Sequence, residues 1–299
     1  MKRHGFTLFQ LLVIIALLAL GFAMFLPAIG TARLRAAQMA SANNLKQLGL
    51  GVHNHVSAFQ FLPAGIDAKG FSTAAYLLPF IEQDNVFRLL DFKKSPTDKA
   101  NAEMRAVVVK VFLNPLDPVK NVTMDSGPTN YLFCAGDKPE LKNNTGMFYA
   151  ESKVRLVGVP DGLSNTMMAG ETLKGDSAVK ATTVARQHVE LKADAIKGIK
   201  PEAGVDEWKN DKSIAADRGA AWIEGKLLHG TFTATRTVND EKPDVTCGGV
   251  GGLVGLRAME DSLWILLGDG SVRRLSARVP LNVIQLLGNG NDGQPVPEF

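Results

Sequence analysis

The sequence is short of cysteine, histidine and net charge, and each shortage closes a class of function. Two cysteines in 299 residues exclude a disulfide-dense scaffold and the four-cysteine zinc motifs. The few histidines show no H-E-x-x-H or related spacing, so His53, His55, His188 and His229 read as solvated or core residues. Lys plus Arg is 33 against 30 for Asp plus Glu, a net charge of +3. So small an excess is no nucleic-acid footprint. Ser164 and Ser271 follow glycine-containing turns but lack a G-x-S-x-G elbow, so no hydrolase triad is expected. Gly248-Gly249-Val250-Gly251-Gly252 has no lysine after it and reads as a turn, not a phosphate cradle. No catalytic residue is expected.

What the chain does have is one long charge-free run. Residues 6–29 carry no charged side chain, and the only positions there that are not apolar are Thr7, Gln10, Gly21 and Pro27. As a helix this run spans roughly 36 Å, enough to cross a hydrocarbon core. It is longer than the ~7–15-residue apolar core of a cleaved secretory signal. A soluble helix would also show a polar face, and this run has none. Lys2 and Arg3 before it favour a cytoplasmic start. Arg33 and Arg35 after it leave the charge bias alone undecided.

Lys2-Arg3-His4-Gly5-Phe6-Thr7-Leu8-Phe9-Gln10-Leu11-Leu12-Val13 resembles the prepilin leader of type IV pilins and type II secretion pseudopilins. The resemblance implies a leader, residues 1–5, removed between Gly5 and Phe6 by a membrane-embedded prepilin peptidase, with N-methylation of Phe6. It implies that 6–29 stay attached as a transmembrane half-helix. Pro27 matches a proline common in pilin helices and predicts a soft kink; an interior proline costs about 3 kcal/mol in water and less in a membrane helix. Gln10 stands at the assembly position, where the family usually has Glu to pair with a neighbouring subunit's amine. An amide cannot supply that charge, although it is less costly to bury. Some minor pseudopilins also lack the Glu.

From residue 31 the pattern turns amphipathic. Leu34, Ser41, Leu45, Leu48, Val52 and Val56 form a stripe mostly at three- and four-residue spacing, predicting one helix over about 6–57. Residues 30–60 form its extramembrane half. Gly49 and Gly51 weaken that helix by up to about 1 kcal/mol each, and signal close packing or fraying. Asn43-Asn44-Leu45-Lys46-Gln47-Leu48-Gly49-Leu50 with His53-Asn54 resembles a bacterial family of unknown function that places a prepilin-type segment before its domain. Leu77-Leu78-Pro79-Phe80-Ile81-Glu82-Gln83, Asp161-Gly162-Leu163-Ser164-Asn165-Thr166, Gly170-Glu171 and Asp269-Gly270-Ser271-Val272 resemble its further segments in order. Two positions depart from it: Met259 stands where a His is common, and Asn114 where a Cys is.

Residues 61–299 read as a globular α+β domain, pilin-like by resemblance, in which the long helix packs on an antiparallel β-sheet. A helix is predicted over 71–91 and strands at 107–113, 131–133, 146–149, 167–169 and 263–267. Residues 173–218 are polar and Lys-rich and read as a surface insertion, within a stretch of poor family match near 173–245. Asp161, Asn165 and Asp269 offer oxygen ligands for calcium, or plain turn chemistry. Cys134 and Cys247 would lie outside the cytoplasm, as a disulfide or as two buried thiols. No other cofactor is expected.

Two functions follow as expectations. One is a single-pass inner-membrane protein with its C-terminal domain in the periplasm or exterior. It would have a structural or interaction role beside sister pilin-like subunits or secretion machinery. The other is an anchored module binding a solute, a glycan or calcium, using the prepilin route only for export.

Overall fold

The computed structural model describes residues 7–178, 180–181 and 183–299, without the side chains of 19–27. The leader, Gly5 and Phe6 lie outside the described residues, as does the Pro27 side chain.

Helix α1 runs Leu8–Phe59 without a break, roughly 78 Å of rise. Thr7 and Gln10 close a capping box at its start. The Gln10 amide donates to Thr7 Oγ1 at 3.3 Å, and the Thr7 amide donates to Gln10 Oε1 at 3.0 Å. Gln60, in the left-handed region at φ 67°, ends the helix ahead of Pro63.

The two ends of α1 live in different surroundings. Near the start the apolar side chains are bare, with Leu8 76% and Phe9 75% exposed. Among the described residues no helix is long and apolar enough to cross a membrane; the span expected over 6–29 includes residues outside that description. Further on, Ser41, Leu45, Leu48 and Val52 are fully buried. Gly49 and Gly51 resolve as close packing. A Cβ on Gly49 would stand 2.7 Å from Leu266 Cδ1, and one on Gly51 2.9 Å from Ile81 Cγ2.

The helix lies on a five-stranded sheet. Its strands are β1 (Tyr131–Gly136), β2 (Met167–Glu171), β5 (Thr231–Thr233), β8 (Ser262–Leu267) and β9 (Val272–Ser276), in the order β5-β1-β2-β8-β9. Alternation sorts the side chains. Tyr131, Phe133 and Leu266 join the core under α1. Leu132, Cys134, Ile265 and Leu267 join a second core, under the C-terminal helix α5 (Leu281–Gly288), with Val283, Ile284 and Leu287. Strands covered on both faces read as continuous apolar runs.

Several expectations are corrected. The sheet is mixed, because β1 and β5 pair in parallel. The helix expected over 71–91 breaks into α2 (Thr73–Leu77), a 3-10 turn containing Pro79, and α3 (Asp84–Phe87). Glu82 there takes φ 61°, which no helix interior tolerates. After a further short helix, α4 (Ala102–Arg105), residues 107–113 form a 3-10 turn and loop in place of a strand. Residues 146–149 follow β1 through backbone bonds from Gly146 to Ala135 and from Phe148 to Cys134, both 3.0 Å, without forming a strand.

The largest correction concerns the polar stretch. The stretch 173–218 is exposed over most of 192–213, as expected, but its two ends are built into the fold: β3 (His188–Leu191) and β4 (Ile214–Ala215) build a second sheet with β6 (Asp244–Cys247) and β7 (Gly251–Leu253). Its order is β4-β3-β6-β7, with β3 and β6 parallel. Gln187, Val189 and Arg218 are fully buried.

Candidate functional site

Three places bring polar chemistry together. The first is the seam between α1 and the sheet. The Ser41 hydroxyl donates to Glu171 Oε1 and lies 2.8 Å from the Tyr131 hydroxyl. Asn114 Nδ2 also reaches Glu171 Oε1, at 3.1 Å, and the Trp264 amide donates to Oε2 at 2.8 Å. Burial raises the Glu171 carboxyl above its ordinary value, against the lowering pull of Ser41, the Trp264 amide and Arg274. The cavity above it is about 20 Å³, room for about one water, and Met259 lines it.

The second is at the junction of the two sheets. Asp217 Oδ2 lies 3.2 Å from His229 Nε2, and Asp217 Oδ1 lies 3.7 Å from His188 Nε2. Lys226 Nζ stands 3.3 Å from Asp217, and Glu224 Oε2 lies 3.6 Å from His229 Nδ1. Desolvation works against all of these charges. For His188 it wins, and the pKa falls to about 4. His229 suffers the same burial but sits between Asp217 and Glu224, and its pKa is raised. Burial would raise Asp217, but His229, His188 and Lys226 outweigh it and hold the carboxyl well below its usual range. Burial thus holds the His188 ring neutral, while the Asp217 and Glu224 carboxylates favour the charged form of His229.

The third is a cleft of about 400 Å³ between loop 138–149, segment 154–160 and residues 290–291. Asp161 frames it: Oδ1 accepts from the Gly293 amide at 2.7 Å and Oδ2 from the Asp292 amide at 2.9 Å. Asn165 Nδ2 donates to the Asp161 carbonyl at 3.1 Å, and Asp269 Oδ1 accepts from the Ser271 amide at 2.8 Å. All three are thus engaged in turn chemistry. Among the described residues no group of three or more His, Cys, Asp or Glu side chains is arranged to hold a metal ion.

Gln10 is exposed and closes its own helix cap. Cys134 and Cys247 are buried free thiols in different sheets and different cores, so the weighed disulfide is not formed here. Burial pushes the Cys134 thiol up to about 12, so it is inert as a nucleophile. The histidine pair was missed from the sequence, where 188 and 229 stand far apart. The one local signal is the β-favouring His188-Val189-Glu190-Leu191, which contradicts a solvated insertion.

Residues 31–282 match the model of a family described as Protein of unknown function (DUF1559), and the chain belongs to that family. No curated protein and no solved structure matches this chain.

Proposed function

We propose that this is a membrane-anchored, pilin-like or pseudopilin-like envelope protein, non-catalytic, with a structural or interaction role in a secretion or surface-filament system. The observation that carries this reading is the start of α1. A helix bearing Leu8, Phe9, Leu11, Leu12, Ile15, Leu17 and Leu18 all exposed leaves far more apolar surface than a soluble monomer carries. A bilayer or a bundle of sister helices would cover it. The leader resemblance supports the same reading: the prepilin peptidase would cut between Gly5 and Phe6, leaving the domain outside the inner membrane. Intact mass of the purified chain tests it. A chain beginning at Phe6, carrying one methyl group, is expected; one beginning at Met1, or beyond residue 30, overturns it.

The capping box gives Gln10 a local partner, and this favours a minor or non-polymerising role. A second reading is therefore an anchored module that binds a ligand and uses the prepilin route only for export. The 400 Å³ cleft favours it. Helix-to-helix crosslinking in cells separates the two: ladders support assembly, and a strictly monomeric product supports the module.

A further inference from the structure

The cleft beside the C-terminal tail is built from loops that are pinned from behind. Asn144 Oδ1 accepts from the Thr145 and Lys138 amides at 2.8 and 3.2 Å, and its Nδ2 donates to the Lys138 carbonyl at 2.9 Å. Asn289 Nδ2 donates to Asp137 Oδ2 at 3.0 Å, and the Asp161 carboxylate clamps the turn beyond. The frame is therefore set before any ligand arrives, which lowers the cost of binding.

What faces the space is a mixed set. Lys138, Asn143, Tyr149 and Asn291 line it, and no hydrogen bond among the described residues engages the Lys138 ammonium, the Tyr149 hydroxyl or the side-chain amides of Asn143 and Asn291. Asn143 holds its place at φ 52°, a left-handed position that asparagine tolerates and most residues avoid. Val154, Val159 and Pro160 give an apolar wall. Among the described residues no aspartate or glutamate lines the cleft, and Lys138 is the one charged residue in its lining.

Each of these facts narrows the ligand. The carboxylates nearest the cleft, Asp137 and Asp161, are engaged behind its lining by Thr145, Asn289 and the 292–293 amides, so the cleft presents no charge to balance a metal ion or an organic cation. Each free amide offers a donor and an acceptor side by side, matching neighbouring hydroxyls. The apolar wall suits the C–H face of a sugar ring, and the single ammonium suits one anionic group. The volume falls within the ~300–1,000 Å³ of small-molecule sites. We propose that this cleft binds a saccharide bearing one carboxylate, a hexuronate unit. The inference deepens the binding-module reading and rests on it.

The test is calorimetric titration of the full chain in detergent with D-glucuronate and, separately, D-glucose, which differ at the carboxylate alone. Glucuronate is expected to bind more tightly. Lys138→Met should weaken glucuronate by about tenfold and leave glucose unchanged, since a hydrogen bond to a charged group is worth that much. Asn143→Gly, which suits the backbone and removes the amide, should weaken both. Glucuronate that fails to bind up to about 10 mM, or that binds with no dependence on Lys138 or Asn143, overturns the proposal. Crosslinking reports on the anchored-module reading separately, so a failed titration beside a monomeric chain rejects the ligand and leaves the module.

Discussion

Glu171 at the end of β2 and Asp244 at the start of β6 are both withdrawn from water, with 6% and 0% of each residue exposed. Their surroundings differ in one respect. Asp244 meets full positive charge: Arg218 Nη1 bonds to it, Arg257 donates from Nη2 at 2.9 Å and from Nε at 3.2 Å, and the Gly255 amide adds a fourth donor at 3.1 Å. Burial would raise its pKa, but Arg257 and Arg218 outweigh burial and the carboxyl is lowered. Glu171 bonds to neutral donors from Ser41, Asn114 and Trp264; Arg274 pulls its pKa down from further off while Glu260 pushes it up, and burial wins. Three well-placed hydrogen bonds do not repay the desolvation of a carboxylate; two guanidinium groups do. Arg218 shows the converse cost, its pKa pulled down to about 10 by its own burial.

The largest way to break this comparison is Asp244→Asn. It leaves Arg218 and Arg257 buried without a countercharge, and should cost about 3–5 kcal/mol. Urea unfolding at neutral pH measures it; a loss under about 1 kcal/mol would mean that the arginines escape to water. The folded pKa of Asp244 lies below its unfolded value of 3.8. Its stabilisation is therefore present above pH 3.8 and is lost as pH falls through the folded value.

A second test lies at the histidine pair. The folded pKa of His188, about 4, stands below the ordinary 6.5. The neutral ring is favoured in the fold, so stability is full above pH 6.5 and falls as pH drops toward 4. The whole drop is up to about 3 kcal/mol. His229 works in the other sense, since its pKa is raised. Its contribution is complete below 6.5 and fades as pH rises through the folded value. Urea midpoints between pH 4 and 7 for the wild type and His188→Gln report the difference. The variant's profile should be flatter; parallel profiles would show that His188 takes up its proton without cost.

How legible these sites were depended on the sequence distance between partners. Helix α1 was legible because its cues are local: a charge-free run, then a stripe over Leu45, Leu48 and Val52. The two readings of Gly49 and Gly51 were already the right pair to decide between. The turn role of Asp161 was equally visible, because Asp-Gly chemistry is local. Arg218 was not legible. An arginine in a Lys-rich stretch reads as solvated until Asp244 and Arg257 are folded around it, and nothing near residue 218 announces them. The parallel pairing of β3 with β6 hid for the same reason, since it joins segments more than fifty residues apart. The seam was half visible: Gly170-Glu171 belonged to a resembling segment, but its partner Ser41 appeared only as one position in a helical stripe.

The smallest expected effect sharpens the comparison most. Glu171→Gln is the same carboxylate-to-amide change as Asp244→Asn, at a site whose nearby arginine, Arg274, is half exposed and paired with Glu260 and so is not stranded. The amide oxygen can keep the Trp264 N–H, and the new amide nitrogen can donate to Ser41 Oγ, whose own proton then turns to the Tyr131 hydroxyl. Asn114 Nδ2 loses its acceptor, at about 1 kcal/mol. Against that loss stands the removal of a carboxyl whose ionised form the site disfavours, so at neutral pH the net change should stay within about 1 kcal/mol of zero. The pH profile separates the two contributions. Because the folded pKa of Glu171 is raised above 4.5, its stabilisation is complete below 4.5 and is lost as pH rises through the folded value. The wild type should therefore gain on the glutamine variant as the solution is acidified across that window. A wild type that instead loses ground there would mean that Glu171 is ionised and paired like Asp244, and the contrast between the two carboxylates would be gone.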